Sequence, residues 1–244
     1  MAFAQEHARP IPGAVATLGV SDRVDFLRKT YGLLGVALVA FAAICFGMMR
    51  FAPEMSFKWT VWALSGYNWL LVIGMFIGVG MISERLARSE TSRALQFLGL
   101  TIGVVAYGFL FQPLLWFVFA KLGVASGAGL ITQAAVITIA IFVGLTLTVF
   151  LTKKDFSFMR GALMIGTFAA LGVIVASIVF GFSLGGVFAG IMILLMAGYV
   201  LYQTSLVMRD FPPTAYVAAA LMLFSTVATM FWYVIRLLMS LRSD

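Results

Sequence analysis

Long runs of apolar residues, separated by short polar stretches, dominate the chain from residue 31 onward. A helix needs roughly 20 apolar residues to cross the ~30 Å hydrocarbon core of a bilayer, because no backbone polar group can stay unpaired in lipid. Seven runs reach this length, at Tyr31–Met49, Trp59–Ile82, Ala94–Ala120, Leu130–Thr152, Gly161–Phe182, Leu184–Val207 and Thr214–Leu238. The pattern therefore predicts an all-α integral membrane protein with seven transmembrane helices.

The boundary between the fifth and sixth runs is the weakest, since only the glycine-rich stretch 181–186 divides them and it carries no charge. Without that boundary the two runs would form one segment of about 45 apolar residues, more than twice what a bilayer needs. Two helices are therefore predicted. No apolar run of signal-peptide length precedes residue 31, so residues 1–30 are interpreted as a polar cytoplasmic tail and residues 31–244 as the seven-helix domain.

Composition agrees with a membrane protein, since 63% of the residues are hydrophobic and only 10% are charged, whereas a soluble domain carries about 25% charged residues. The net charge of +7 would suggest nucleic acid on a soluble protein. Here the basic residues are interpreted against the lipid bilayer, and no nucleic-acid partner is expected. The single cysteine, Cys45, lies inside an apolar run, which excludes a disulfide framework.

Basic residues are distributed unevenly between the two sides of the predicted bundle. With the N-terminus in the cytoplasm, eleven of the 16 lysines and arginines fall on the cytoplasmic side and five on the other. This bias fixes the orientation by the positive-inside rule, and an odd number of spans puts the C-terminus outside. Lys153, Lys154 and Asp155 then lie in a cytoplasmic loop, where the lysines meet the lipid headgroups and Asp155 caps the turn into the fifth helix.

Ionisable side chains are almost absent from the predicted spans. All nine acids and all five lysines fall in tails, loops or helix ends, so no lysine is placed to hold a retinal-type chromophore. His7, the only histidine, lies in the tail, which excludes Ser/His catalysis in the membrane and histidine-based metal sites. Because general acid–base catalysis needs a positioned titratable group, the chain is not expected to be an enzyme. No cofactor or metal is expected either.

Neutral polar residues do occur in the predicted spans, chiefly in the fourth, sixth and seventh. They are Gln133, Thr138, Thr146, Thr148, Tyr199, Tyr202, Gln203, Thr204, Ser225, Thr226 and Thr229. Such side chains either line a wet path or form interhelical hydrogen bonds, and the sequence leaves both interpretations open. Pro113 in the third span is expected to kink that helix and to free a carbonyl, which must then find another donor.

Three stretches of the chain resemble the Bax inhibitor family, also called the transmembrane Bax-inhibitor-motif family. They are LTLTVFLTKKDFSFMRG at residues 145–161, YVLYQT at 199–204 and YVAAALMLFSTVATMFWYVIRLL at 216–238. The resemblance covers nearly the whole chain after the tail. It implies a bacterial-type member in the inner (plasma) membrane, with the last of seven helices surrounded by the other six. It also implies an association with calcium leak, pH sensitivity and the regulation of cell death or membrane stress.

The resemblance also locates an acid pair that this chain lacks. Family members that resemble pH-sensing calcium channels carry an aspartate in the sixth helix and another in the seventh, and the matching positions here are Gln203 and Thr226. An amide and a hydroxyl can hydrogen-bond to each other and coordinate a cation weakly, but neither titrates between about pH 5 and 8. An arginine that could act as a latch on the acids matches Arg85 or Arg88 equally well.

Two functions of different classes are left open. The first is a leak or transport of a cation, with calcium as the leading candidate, along a path between the sixth and seventh helices. Its lining residues would be Tyr202, Gln203, Thr204, Ser225 and Thr226. The second is a non-conducting regulator that binds another membrane protein in stress response or membrane-protein quality control.

Overall fold

The computed structural model of the protein describes residues 14–17, 19–152 and 154–242. In this part of the chain the regular structure is helical, which confirms the predicted all-α class. The helices are α1 (Val20–Phe51), α2 (Pro53–Leu64), α3 (Asn68–Ala87), α4 (Arg93–Thr152), α5 (Arg160–Phe180), α6 (Gly186–Arg209) and α7 (Tyr216–Ser240). Short 3-10 turns lie at Val15–Thr17, Ser157–Met159 and Pro213–Ala215.

Six of the helices are long and apolar enough to cross a membrane, namely α1, α3, α4, α5, α6 and α7. The remaining helix, α2, has 12 residues. At 1.5 Å per residue it is about 18 Å long, too short for the hydrocarbon core. In contrast, α4 has 60 residues, which is far more than one crossing needs. By its helix composition the chain is a multi-pass membrane protein.

The long helix α4 consists of two arms, residues 93–122 and 124–152, joined by one non-helical residue, Gly123. Its φ of 75° and ψ of 170° place Gly123 in a region that a residue without a Cβ adopts freely. A Cβ built on Gly127 would lie 2.7 Å from Cδ1 of Phe119. Along a continuous helix these two residues would be about 12 Å apart. The arms therefore fold back on each other, and the loop expected between the third and fourth runs is reduced to Gly123.

The predicted bounds of the second span, Trp59–Ile82, are wrong, because the candidate span in the structure is Asn68–Ala87. The structure interrupts this run at residues 65–67 and divides it between α2 and α3. Gly66 has a φ of 54°, and Nδ2 of Asn68 donates to the carbonyl of Trp62 at 2.8 Å, which closes the turn. The turn was not predicted because the residues on both sides of it are as apolar as those of a continuous span.

Two other boundaries can be compared with the sequence pattern. Helix α1 begins at Val20, before the predicted start, because Phe26 and Thr30 are 2% and 0% exposed and give the polar-looking stretch a buried face. The predicted separation of the fifth and sixth helices is confirmed. Helix α5 ends at Phe180, and Gly181, with a φ of 73°, begins the turn that leads to α6.

The most buried of the candidate spans is α7. In its most apolar stretch 72% of the residues are buried, against 44% for α6 and 6% for α5. Helices α1, α3, α4 and α6 all pack against α7. Aromatic rings fill part of these contacts: the Phe224 ring lies 5.9 Å from Phe41 and 5.4 Å from Tyr107, and Phe231 stacks on Phe111 at 5.6 Å. The polar residues of α7 therefore lie in a crowded, largely apolar core.

Candidate functional site

Gln203 and Thr226, which the family resemblance predicts to stand in place of an acid pair, meet between α6 and α7. The Thr226 hydroxyl donates to Oε1 of Gln203 at 2.8 Å, and the two residues are 5% and 8% exposed. Oγ1 of Thr226 also lies 3.3 Å from the carbonyl of Met222, one turn earlier on α7. We call Gln203 and Thr226 the α6–α7 pair. The buried hydrogen bond between them is the interaction that the sequence allows for an amide on α6 and a hydroxyl on α7.

The other three predicted path residues are placed differently. Oγ of Ser225 donates to the Met222 carbonyl of its own helix at 2.8 Å. Tyr202 is half-buried, and its carbonyl accepts a hydrogen bond from Oγ of Ser205 at 2.9 Å. Thr204 is 0% exposed, and its hydroxyl has no hydrogen-bond partner among the described residues. Within the same residues none of the three bonds to the α6–α7 pair.

The chemistry of the α6–α7 pair is that of two neutral oxygen ligands. Carboxylate number largely sets the affinity of a protein site for Ca2+, so an amide and a hydroxyl alone would hold this ion weakly. Neither group changes its charge between about pH 5 and 8. In the described part of the chain no group of three or more His, Cys, Asp or Glu side chains could hold a metal ion. The pair is therefore a neutral polar contact in an apolar environment.

Charged residues cluster instead at the end of α6, where Arg209 contacts two acids. Its Nε and Nη2 atoms donate to the two carboxylate oxygens of Asp210 at 2.7 and 2.9 Å, and its Nη1 atom donates to Asp155 in the loop between α4 and α5. Oδ1 of Asp155 accepts the backbone N–H of Ser157 at 2.8 Å, at the start of the 3-10 turn that precedes α5, although the N-cap position of that turn is Phe156 and not Asp155 as predicted. We call Arg209, Asp155 and Asp210 the loop clamp, because together they fasten the α4–α5 loop to α6.

The arginines that the family pattern offers as a latch lie at the end of α3. Arg88 donates to a glutamate one turn earlier at 2.8 Å, and its guanidinium carbon lies 5.8 Å from the centroid of the Phe211 ring. Arg85 is exposed. In the described structure neither arginine donates to the α6–α7 pair. In the loop between α4 and α5, Lys154 is exposed and Lys153 lies outside the described residues.

A further polar contact ties α2 to the first arm of α4. Pro113 lacks the N–H that would bond to the carbonyl of Phe109, and Nε1 of Trp59 donates to that carbonyl instead at 3.0 Å. Beside this bond, Oγ of Ser56 donates to Oε1 of Gln112 at 2.7 Å. The carbonyl freed by Pro113 thus has the other donor that was expected from the sequence, and this donor comes from another helix.

Comparison with known proteins finds relatives over most of the chain. A family model described as "Inhibitor of apoptosis-promoting Bax1" matches residues 23–243. Bax inhibitor 1 of Schizosaccharomyces pombe is 26% identical over 235 residues, which cover 94% of this chain and 82% of the relative. The Golgi anti-apoptotic protein of vaccinia virus (strain Lister) is 26% identical over 231 residues, 92% of this chain and 89% of the relative. An uncharacterized protein of Pseudomonas aeruginosa is 28% identical over 187 residues, 75% of this chain and 71% of the relative. No solved structure matches the chain.

Proposed function

Since this chain belongs to the Bax inhibitor family, we propose that it is a membrane leak for cations, with calcium as the leading candidate, along the contact between α6 and α7. The observation that carries the proposal is the α6–α7 pair, whose polar side chains meet at 2.8 Å in the buried core. They occupy the positions at which the family resemblance implies an acid pair. Because both are neutral here, the proposed leak is slow and lacks a pH switch.

The chemistry of the pair sets the behaviour of the proposed leak. Amide and hydroxyl oxygens are hard ligands that can replace part of the hydration shell of a cation, but without carboxylates they hold Ca2+ weakly. Conduction needs binding that is favourable enough for entry and weak enough for exit. A neutral pair binds a cation weakly enough for exit but gives little attraction for entry. This limits the rate of the proposed leak. No catalytic step and no cofactor form part of the proposal.

The proposed topology has seven spans in the inner (plasma) membrane. Each arm of α4 is about 45 Å long at 1.5 Å per residue, enough for a crossing of its own, and the chain reverses at Gly123. With α7 in the middle of the other six spans, its high burial is explained. The excess of basic residues on one side of the proposed bundle supports a cytoplasmic N-terminus. A reporter fused after Asp244 should lie outside and one inserted between Asp155 and Phe156 inside; a cytoplasmic C-terminus would contradict the seven-span topology.

A calcium flux assay tests the proposed leak. Purified protein is reconstituted into liposomes loaded with a calcium-sensitive dye, and calcium is added outside. We expect a dye signal above that of protein-free liposomes, and a change in its rate in Gln203→Leu. The matched control is Thr138→Val, which removes another buried hydroxyl whose hydrogen bond, 2.8 Å long, stays within α4. Calcium entry no faster than in protein-free liposomes would rule out the leak.

A second function is favoured by the exposure of α5. Only 6% of its most apolar stretch is buried, and it packs chiefly against α6. Large apolar side chains such as Ile165 and Phe168 are 73% and 68% exposed and offer a surface to another membrane protein. This arrangement suits a non-conducting regulator in stress response or membrane-protein quality control. For that function, the flux assay should give no signal, and a photo-crosslinker at position 168 should capture one protein reproducibly in intact membranes.

A further inference from the structure

Four buried hydroxyl groups have no hydrogen-bond partner among the described residues, and one of them is that of Thr30 on α1. The other three belong to Tyr31 of α1, Thr146 of the second arm of α4 and Thr204 of α6. Thr204 is 0% exposed and Thr146 is 6% exposed. Nearly all buried polar groups in proteins are hydrogen-bonded, because an unpaired one has lost its contacts with water without replacing them. Three such groups in one region therefore need an explanation.

Threonines in membrane helices usually bond to their own backbone, and other threonines of this bundle do so. Thr138 and Thr148, in the same arm of α4 as Thr146, donate to carbonyls four residues earlier, each at 2.8 Å. Thr146 and Thr204 make no such bond. Their hydroxyl groups are therefore available to a ligand that lies outside their own helices.

Tyr31 brings the three hydroxyls together. Its ring lies 6.4 Å from the ring of Phe142 and 5.8 Å from that of Phe150. These residues stand one turn before and one turn after Thr146, so Thr146 is on the face of α4 that Tyr31 covers. The Tyr31 hydroxyl also approaches the side chain of Thr204, without the geometry of a hydrogen bond. Three helices thus surround one small polar site.

We infer that this hydroxyl site, formed by Tyr31, Thr146 and Thr204, binds a water molecule. A buried water typically makes about three hydrogen bonds to groups that would otherwise be unpaired, and hydroxyls can act as donors or acceptors toward it. Three neutral hydroxyls do not suit a divalent cation, since such sites depend on carboxylates. Three oxygens are also fewer than the roughly six to eight that Ca2+ takes, whereas they match the number of hydrogen bonds that one buried water makes.

Thr204 follows Gln203 on α6, about 100° further around the helix, so the hydroxyl site and the α6–α7 pair lie on different sides of the same helical turn. The inference goes beyond the proposed leak and does not depend on it, since water can occupy the site whether or not ions pass. Its test is therefore made without an ion gradient, so the two proposals can fail separately.

Radiolytic labelling detects the water directly. An X-ray pulse produces hydroxyl radicals from bound water, so a side chain beside a buried water is oxidised even where bulk solvent has no access. The full-length protein in micelles is irradiated, and oxidation of Tyr31 is compared with that of Tyr107 by mass spectrometry. Tyr107 is the matched control, because its buried hydroxyl bonds to Thr229 at 3.0 Å and to the Ser225 carbonyl at 3.1 Å. We expect several-fold faster oxidation of Tyr31, and equal rates would overturn the inference.

The double variant Thr146→Val with Thr204→Val tests the same site by removing two of the partners of the water. Oxidation of Tyr31 should fall to near the rate of Tyr107, and unchanged oxidation would overturn the inference. The melting temperature should fall as well, because a bound water is lost. A higher melting temperature would instead mean that the hydroxyls are unpaired in a dry contact. Faster oxidation of Tyr107 in the variant would mean that the fold of the variant has changed. The comparison of Tyr31 with Tyr107 in the unmodified protein then decides whether the water is present.

Discussion

Removal of the Thr226 hydroxyl should weaken the attachment of α6 to α7 by an amount that follows from two hydrogen bonds. Thr226→Val keeps the shape of the side chain but leaves Oε1 of Gln203, in a residue 8% exposed, without its donor at 2.8 Å. Gln203→Met keeps the length of the side chain and removes the amide. The Thr226 hydroxyl can then still donate to the carbonyl of Met222, now 3.3 Å away. Thr226→Val should therefore destabilise the protein more than Gln203→Met.

Two known ranges bound the expected change in the free energy of unfolding. An unpaired buried acceptor costs about 1 to 3 kcal/mol, whereas hydrogen bonds between membrane helices contribute about 0.6 kcal/mol on average and up to about 1.7 kcal/mol. The range for hydrogen bonds between membrane helices applies here, because the unfolded chain in the membrane also finds partners for its polar groups. We expect a cost of about 1.5 kcal/mol for Thr226→Val and a coupling energy between the two positions of roughly 1 kcal/mol.

The coupling can be measured by unfolding four proteins with SDS in mixed micelles: the unmodified protein, the two single variants and the double variant. Thr138→Val serves as the control, because it loses a hydrogen bond of 2.8 Å within its own helix. In a double variant with Gln203→Met, the loss of unfolding free energy caused by Thr138→Val should add to that caused by Gln203→Met, with no coupling energy between the two positions. A Gln203–Thr226 coupling within about 0.3 kcal/mol of zero, or one no larger than the control, would refute the view that this bond holds the two helices together.

Three further predictions concern the pair, the loop clamp and α2. Calcium flux through the unmodified protein should be flat between about pH 5 and 8. Gln203→Asp with Thr226→Asp should make it pH-dependent, since two close carboxylates share a proton, and the liposome assay should show less effect for either single change. Arg209→Gln should speed proteolysis of the α4–α5 loop and cost no more than about 1 kcal/mol, and unaltered cleavage would contradict the clamp. Trp59→Phe should destabilise the protein by about 1 kcal/mol in the SDS titration, and adding Pro113→Ala should restore stability by supplying a backbone N–H to the freed carbonyl.

Hydropathy predicts most of the membrane segments well, because the bilayer sets the length of a span whatever the span packs against. It fails between residues 59 and 82 for a physical reason. The stretch Trp59–Leu64 is as apolar as a span, yet it belongs to a short helix fixed by hydrogen bonds from Ser56 and Trp59 to α4. Those partners lie 50 or more residues further along the chain, so no local pattern reveals them.

The candidate site is only partly accessible from the sequence. Gln203 and Thr226 are noticed through the family resemblance, since neither residue is unusual by composition. The sequence places Arg209 and Asp155 on the same side of the membrane but does not pair them, because their contact spans 54 positions and depends on the path of two loops. The hydroxyl site cannot be predicted from the sequence, since a sequence does not show which threonines bond to the backbone of their own helix.

The bond from Trp59 to the carbonyl of Phe109 has a consequence for biogenesis. Helix α2 precedes α4 in the chain, so the indole donor is synthesised before the carbonyl that needs it enters the membrane. Until the two meet, the first arm of α4 carries an unpaired carbonyl, which costs about 1 kcal/mol. Docking of α2 therefore stabilises that arm in the lipid. Release of α2, α3 and this arm into the lipid as one assembled unit is more favourable than release helix by helix.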